Sequence, residues 1–249
     1  MKKVYDTINQ YCVEHELLTN GDGIVIGLSG GMDSVCLLQV LAALRNEWQL
    51  RLVCVHVHHG IRGTAADEDA AFAQRLAAKY NIPFRLYEMD IPQLAKEQGL
   101  SEEEAGRNCR YRCFEEVRKE LNFDKIAVAH HRDDQAETVL WQILRGSGLR
   151  GVCGMRAGRA NIIRPLLCLD RQQIEQIVRG NGDGWREDAT NREEKYTRNK
   201  IRNRVFPYIE QEIQPMARRH LVELAEDCQR AWDYIERQML EQYERLVYR

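Results

Sequence analysis

The sequence predicts an α/β fold with a doubly wound parallel sheet and a C-terminal helical extension. Three observations carry that prediction. Short apolar runs at 23–28, 51–57, 83–89 and 125–129 alternate with amphipathic stretches at about 4–18, 33–46, 65–80, 102–121 and 133–146, the order that builds parallel βαβ units. Gly23-Ile24-Val25-Ile26-Gly27-Leu28 is apolar along its length and Lys125-Ile126-Ala127-Val128-Ala129 is apolar after its first residue, as suits strands covered on both faces. Three of the runs lead directly into glycines, histidines or carboxylates, and in open α/β sheets ligands bind beyond the C-terminal strand ends.

After a first helix at about 4–18, the run at 23–28 leads into Ser29-Gly30-Gly31-Met32-Asp33-Ser34. Two adjacent glycines let backbone N–H groups approach a phosphate with no side chain in the way. Ser29 and Ser34 add hydroxyl donors. The helix at 33–46, with Val35, Leu37, Leu38, Leu41, Ala42 and Leu44 on its buried face, turns its N-terminus toward the anion. No Lys follows the glycines, as it would in a Gly-x-x-x-x-Gly-Lys-Ser/Thr loop. Asp33 stands there instead, which favours a magnesium-bound pyrophosphate over a lysine-clamped γ-phosphate.

The second run ends in His58-His59-Gly60-Ile61-Arg62, whose histidines are read either as walls of a site or as structural groups. On the helix at 102–121, Arg107, Arg110 and Tyr111 recur at spacings of three and four. That positive face suits a phosphate or a base, or pairs in solvent with Glu103, Glu104 and Glu115. The fourth run ends in His130-His131-Arg132-Asp133-Asp134-Gln135-Ala136-Glu137-Thr138. Asp133 is read as an N-cap, and Asp133 and Asp134 lie one turn before Glu137, so carboxylates converge on one helix face. Magnesium, an incoming ammonium group or a transition metal would suit them, although Arg132 among the histidines argues against the last. An acidic first turn that complements the helix dipole also accounts for them.

Residues 145–165 read as a long loop rich in Gly and Arg, and 170–180 as a helix stopped by Gly180-Asn181-Gly182. Asp188-Ala189-Thr190-Asn191 reads as a turn before a basic helix with Arg198, Lys200, Arg202 and Arg204. There Arg198 and Arg202 stand one turn apart, placed for phosphate or for charge in a transition state. From Pro215 one long helix carries a stripe of Leu221, Ala225, Cys228, Trp232, Ile235, Met239, Tyr243 and Leu246.

Net charge is −2, yet residues 145–204 hold 14 Lys and Arg against 7 Asp and Glu, and twelve of the fourteen are Arg. That basic block suits a polyanion or a solvated surface. The eight Cys show no Cys-x-x-Cys spacing, and several lie in apolar segments. Reduced, buried thiols in a cytoplasmic protein follow, with a metal or redox role for Cys109 and Cys113 as the lesser reading. No apolar run reaches the ~18 residues of a membrane span.

Together these residues resemble the tRNA(Ile)-lysidine synthetase family of N-type ATP pyrophosphatases. The resemblance rests on Ser29–Ser34, His58–Arg62, Glu104–Tyr111, His130-His131 through Thr138, Arg164-Pro165-Leu166-Leu167, and Asp188–Asn191 with Arg198-Asn199 and Arg202. It implies an adenine nucleotide alpha hydrolase-like catalytic domain over 1–204 and a helical extension over 205–249. It further implies ATP and Mg2+, free L-lysine, and tRNA(Ile) with a CAU anticodon as reactants, in a cytoplasmic monomer or homodimer. On this resemblance Asp33, Asp133, Asp134, Glu137, Arg198 and Arg202 are catalytic, with Asp33 also a magnesium ligand through ATP. Ser29, Gly30, Gly31, Met32, Asp33, Ser34, His58 and Arg107 bind ATP, while Arg110, Arg145, Arg150, Lys200 and Arg204 bind RNA. Gly106 stands where the family more often has Ala, and the family's usual one or two C-terminal domains find no counterpart before Arg249. A tRNA-thiolating ATP pyrophosphatase, a catalytically inactive RNA-binding relative and a small-molecule ligase such as an NAD or GMP synthetase are the alternatives. The first would need Cys-x-x-Cys pairs.

Overall fold

The computed structural model describes residues 2–58, 64–186 and 197–247. Six strands, β1 (Gly23–Gly27), β2 (Arg51–His58), β3 (Phe84–Glu88), β4 (Lys125–Ala127), β5 (Gly158–Arg159) and β6 (Ile162–Ile163), form one sheet in the order β3-β2-β1-β4-β6-β5. β1 pairs parallel with β2 and β4, β2 with β3 and β4 with β6, whereas β5 runs antiparallel to β6. α1 (Lys2–Glu14) precedes β1, and between the strands lie α2 (Met32–Leu44), α3 (Thr64–Lys79), α4 (Ile91–Gln98), α5 (Glu102–Glu120), α6 (Arg132–Leu144) and α7 (Leu149–Val152). After β6 come α8 (Arg171–Gly180), α9 (Thr197–Lys200), a π-helical turn (Ile201–Val205), α10 (Phe206–Glu212) and α11 (Ala217–Val247).

The chain forms two compact units, Met1–His131 with Ala157–Asp188, and Arg132–Arg156 with Ala189–Arg249. In the first, the strand period of two sorts alternate side chains to opposite faces of the sheet. Ile24, Ile26, Leu52 and Cys54 join one apolar cluster with Val35, Leu38 and Leu41 of α2 and Ile174 and Ile177 of α8. Val25, Val53, Val55 and Ile126 join another with Cys113, Phe114 and Val117 of α5. Both faces are thus covered, which is why these strands read as continuous apolar runs.

The second unit has its own small core of Ala136, Ile201 and Phe206, with Leu140, Leu221 and Val222 packed against it. The expected division at 204 is one of sequence, and by packing α6 shares this small core with the helices after 197. Ala136 and Leu140 of α6, which the sequence places inside a single catalytic domain, meet Ile201, Phe206 and the α11 residues Leu221 and Val222 there. The expected loop at 145–165 is also more structured than anticipated, holding α7, β5 and β6. Elements of two to four residues are too short to show a period. α4 was missed as well. It begins at Asp90, whose side chain accepts from the Gln93 N–H at 3.0 Å, and ends at Gly99 in the left-handed region.

Along α11 the stripe divides. Ala225 is buried and Leu221 packs into the core, whereas Ile235, Met239, Tyr243 and Leu246 are exposed. No helix among the described residues is long and apolar enough to cross a membrane.

Candidate functional site

In the first unit the glycine loop joins the buried end of β1 to α2. Gly27 is required by close packing: a Cβ there would stand 2.8 Å from Phe114 Cζ. Gly30 has φ +89°, a conformation that favours glycine. The N-cap of α2 is Gly31, which offers no side chain to the first-turn N–H groups, so those donors and the positive end of the helix dipole are left for an anion.

The serines also hold the loop from within. Ser34, buried, accepts from the Gly30 N–H at 3.1 Å and donates to the Gly31 carbonyl at 2.8 Å. Ser29 Oγ donates to Ser34 Oγ at 3.1 Å. One hydroxyl holds one proton, so Ser34 shapes the loop from within. Met32 is buried beneath it.

Asp33 lies in the first turn of α2, and one of its oxygens is 3.7 Å from Nε2 of buried His131. His131 ends the segment after β4, so two of the sequence motifs meet here. His130 accepts at Nδ1 from Nε of Arg164, 3.3 Å away. Arg164 is buried and burial lowers its pKa from the usual arginine range, while a hydrogen bond with Tyr111 favours its charge. The Arg107 guanidinium stands 5.6 Å from the Tyr111 ring centre, and Arg107 and Arg110 are both exposed. His58 closes β2 with Nε2 3.2 Å from Asp67 Oδ1. The rest of that motif, His59, Gly60, Ile61 and Arg62, lies outside the described residues, as does Asp188-Ala189-Thr190-Asn191.

Two features here escaped the sequence. His56, hidden inside an apolar run, hydrogen-bonds through Nδ1 to the Leu28 carbonyl at 2.8 Å, one residue before the loop. Burial lowers its pKa, the bond to Leu28 opposing the shift. Arg186 donates its backbone N–H to the Gly30 carbonyl at 2.9 Å. A histidine at alternate register within a strand was the available signal for the first; nothing local marks the second.

In the second unit the carboxylates and arginines meet. Asp134 and Glu137 lie one turn apart on α6, their side chains 10% and 0% exposed. Arg198 donates through Nε to Glu137 at 3.0 Å and through Nη2 to Asp134 at 2.9 Å. Arg202 donates through Nε to Glu137 at 2.6 Å and through Nη2 to Asp134 and to Glu137 at 2.9 Å each. The sequence foresaw the carboxylate face and the arginine pair as separate devices, and the structure joins them. Arg202 lies in the π-helical turn, a rare conformation often found at functional sites. α6 starts at Arg132, so Asp133 belongs to its first turn and does not cap it.

Lys200 and Arg204 are exposed. So are Arg145 and Arg150, whose guanidinium groups stand 5.6 Å from the Trp141 ring and 6.0 Å from the Trp232 ring. Among the described residues no three His, Cys, Asp or Glu side chains gather as a ready metal centre. Cys109 and Cys113 are buried, and burial, reinforced by Cys109, pushes the Cys113 thiol up to about 12, far from the thiolate that metal or redox chemistry needs.

Residues 2–209 match the PP-loop domain family. The chain is 46% identical over 241 residues to a tRNA(Ile)-lysidine synthase of Caldanaerobacter subterraneus subsp. tengcongensis, covering 95% of this chain and 50% of that protein. It is 40% identical over 246 residues to a tRNA(Ile)-lysidine synthase of Clostridium perfringens, covering 98% and 52%. It thus spans about half the length of these relatives. Among solved structures it is similar in fold to the U34-tRNA thiolase NcsA of Methanococcus maripaludis, with TM-score 0.72 and 17% identity over 90% of this chain and 78% of that one.

Proposed function

The chain belongs to the PP-loop domain family, and on that premise we propose that it is an ATP-consuming ligase that modifies tRNA. The specific reaction we propose is the joining of free L-lysine to carbon 2 of the cytidine in the first anticodon position of tRNA(Ile) with a CAU anticodon. Its similarity to tRNA(Ile)-lysidine synthases over 95% of its length supports that choice. The observation that carries it is the pair Asp134 and Glu137, two carboxylates almost without solvent and already held by cationic side chains. A buried carboxylate pair demands a cation, and the ε-ammonium of lysine is one.

The residues divide the work. The N–H groups of the glycine loop and the first turn of α2 grip the ATP phosphates. The C2 carbonyl oxygen of the cytidine attacks the α-phosphorus, and diphosphate leaves. Magnesium, carried by the phosphates with Asp33 as a protein ligand, would neutralise the departing charge. Arg107 and Arg110 contact ATP or the RNA. Asp134 and Glu137 then take the lysine ammonium in exchange for arginine, with Asp133 beside them, and one carboxylate accepts the proton that the amine sheds on becoming a nucleophile. The amine attacks carbon 2, the C–O bond to AMP breaks, and lysidine remains. Arg198 and Arg202, released by that exchange, neutralise phosphate. Arg145, Arg150, Lys200 and Arg204 meet the RNA backbone, and the cytidine must leave its stack to be reached.

The test is diphosphate release from ATP with tRNA(Ile) bearing CAU, followed by AMP formation that requires lysine. Asp33→Ala should abolish diphosphate release, whereas Glu137→Ala should spare it and block lysine transfer. Consumption of a sulfur donor in place of lysine would overturn the reading in favour of a thiolating enzyme.

A further inference from the structure

We infer that Asp183 and Arg186 are positioning residues for the glycine loop, holding it in its phosphate-binding shape from a segment more than 150 residues away in sequence. The inference rests on the reading of that loop as an ATP site. α8 ends at Gly180 with Asn181 as its C-cap, and Gly182 follows with φ +70°. Asn181 donates through Nδ2 to the Tyr5 hydroxyl at 2.9 Å and to Gln39 Oε1 at 3.0 Å. Asp183 follows, its side chain 5% exposed. One of its oxygens accepts from Gln39 Nε2 at 2.7 Å and from the Tyr80 hydroxyl at 2.5 Å, and the other pairs with Lys79. These bonds lower the Asp183 pKa against the opposing effect of burial, so the group is held ionised. α2 and the C-terminal end of α3 are thereby tied to one carboxylate, and α1 to the neighbouring Asn181 amide.

That anchor delivers Arg186. Its backbone N–H donates to the Gly30 carbonyl, and its side chain donates through Nε to Asp69 at 2.8 Å and through Nη2 to Glu68 at 2.6 Å. The peptide joining Gly30 to Gly31 is planar and trans, so fixing its carbonyl fixes the Gly31 N–H on the opposite side. Gly-Gly is the dipeptide least able to hold such an orientation unaided, and within the loop the Gly31 N–H has only the long bond it donates to Ser29 Oγ at 3.4 Å. Arg186 Cγ also lies 3.9 Å from where a Gly30 Cβ would stand, opposite Phe72. The guanidinium covers two carboxylates of α3 that would otherwise repel a polyphosphate at the loop.

The test uses the full chain and measures ATP affinity by calorimetry, with unfolding temperature recorded separately without ATP. Asp183→Ala should raise the ATP Kd about tenfold, the factor expected when one freed peptide must be re-ordered on binding. Arg186→Ala, at a half-exposed position, should raise it several-fold with little change in unfolding temperature. If Asp183→Ala proves too unstable, Lys79→Met with Tyr80→Phe loosens the same anchor. Kd values within twofold of wild type for Arg186→Ala and for the folded anchor variant would overturn the inference and leave the ATP reading intact. Absence of ATP binding by the wild type would overturn both. A merely structural strap would lower the unfolding temperature and leave Kd alone.

Discussion

Arg202→Met isolates the energetics of the buried ion cluster. The substitution keeps most of the aliphatic stem and deletes the three charge-assisted hydrogen bonds described above from Arg202 to Asp134 and Glu137. Each such bond is worth roughly 1.5–3 kcal/mol net. The simple sum overstates the loss, because the Arg202 side chain is 26% exposed and is ordered at an entropic cost. Breaking a buried pair from one side costs about 3–5 kcal/mol, and the lower end, about 3 kcal/mol, is expected here. For a chain of this length, that lowers the unfolding temperature by roughly 6–12 °C. Scanning calorimetry or urea denaturation reads the shift, and a double-mutant cycle with Glu137→Gln reads its origin. Removing the fully buried carboxylate removes the reason the guanidinium was needed, so the double variant should be about 2 kcal/mol more stable than the summed single effects imply. Additivity within about 0.5 kcal/mol would refute the claim that Arg202 and Glu137 stabilise each other directly.

Other consequences follow from single side chains. Gly27→Ala forces a Cβ to 2.8 Å from Phe114 and should cost about 1–3 kcal/mol by overpacking, most of it restored by Phe114→Leu in the same unfolding assay. His56 has a folded pKa below its ordinary 6.5 because it is buried. The unfolded chain therefore binds the proton first, and this group's contribution is lost as pH falls below about 6.5. His56→Phe should flatten that limb of the stability–pH curve while leaving the Leu28 carbonyl without its donor, at about 1–3 kcal/mol. Glu115 behaves oppositely in cause: hydrogen bonds from Arg118 hold its pKa down to about 2. Its contribution is full above the ordinary 4.5 and fades as pH falls toward 2, so Glu115→Gln should reduce the acid-side slope in urea titrations between those values.

The fold was legible wherever a pattern repeats within one element. The apolar strands, the glycine loop after β1 and the carboxylate face of α6 need no more than a period of two or of 3.6 to be seen. What escaped was of three kinds. β5, β6 and α7 are too short to repeat anything. The division into units depends on which apolar faces choose each other, as α6 chooses the helices after 197, and one sequence does not record that choice. His56 shows a third limit: a polar side chain satisfied by a backbone carbonyl inside a strand looks like one more strand residue.

The candidate site makes the same distinction sharper. Read singly, Asp134 and Glu137 were carboxylates in want of a cation, and Arg198 and Arg202 were cations in want of an anion. The sequence supplied external partners for each. Burial changes that inference, because a carboxylate with no exposed surface cannot wait uncompensated for a ligand without losing several kcal/mol. Some resident cation must hold it, and two arginines set one turn apart across α9 and the π-helical turn do so through both oxygens of Glu137. On the proposed function, a ligand ammonium gains access only by exchange. Its affinity reports the difference between two ion pairs instead of the strength of one, so weakening the arginines by Arg198→Lys should tighten ammonium binding even as it lowers stability. A looser ammonium site in that variant, measured by lysine titration, would contradict the exchange.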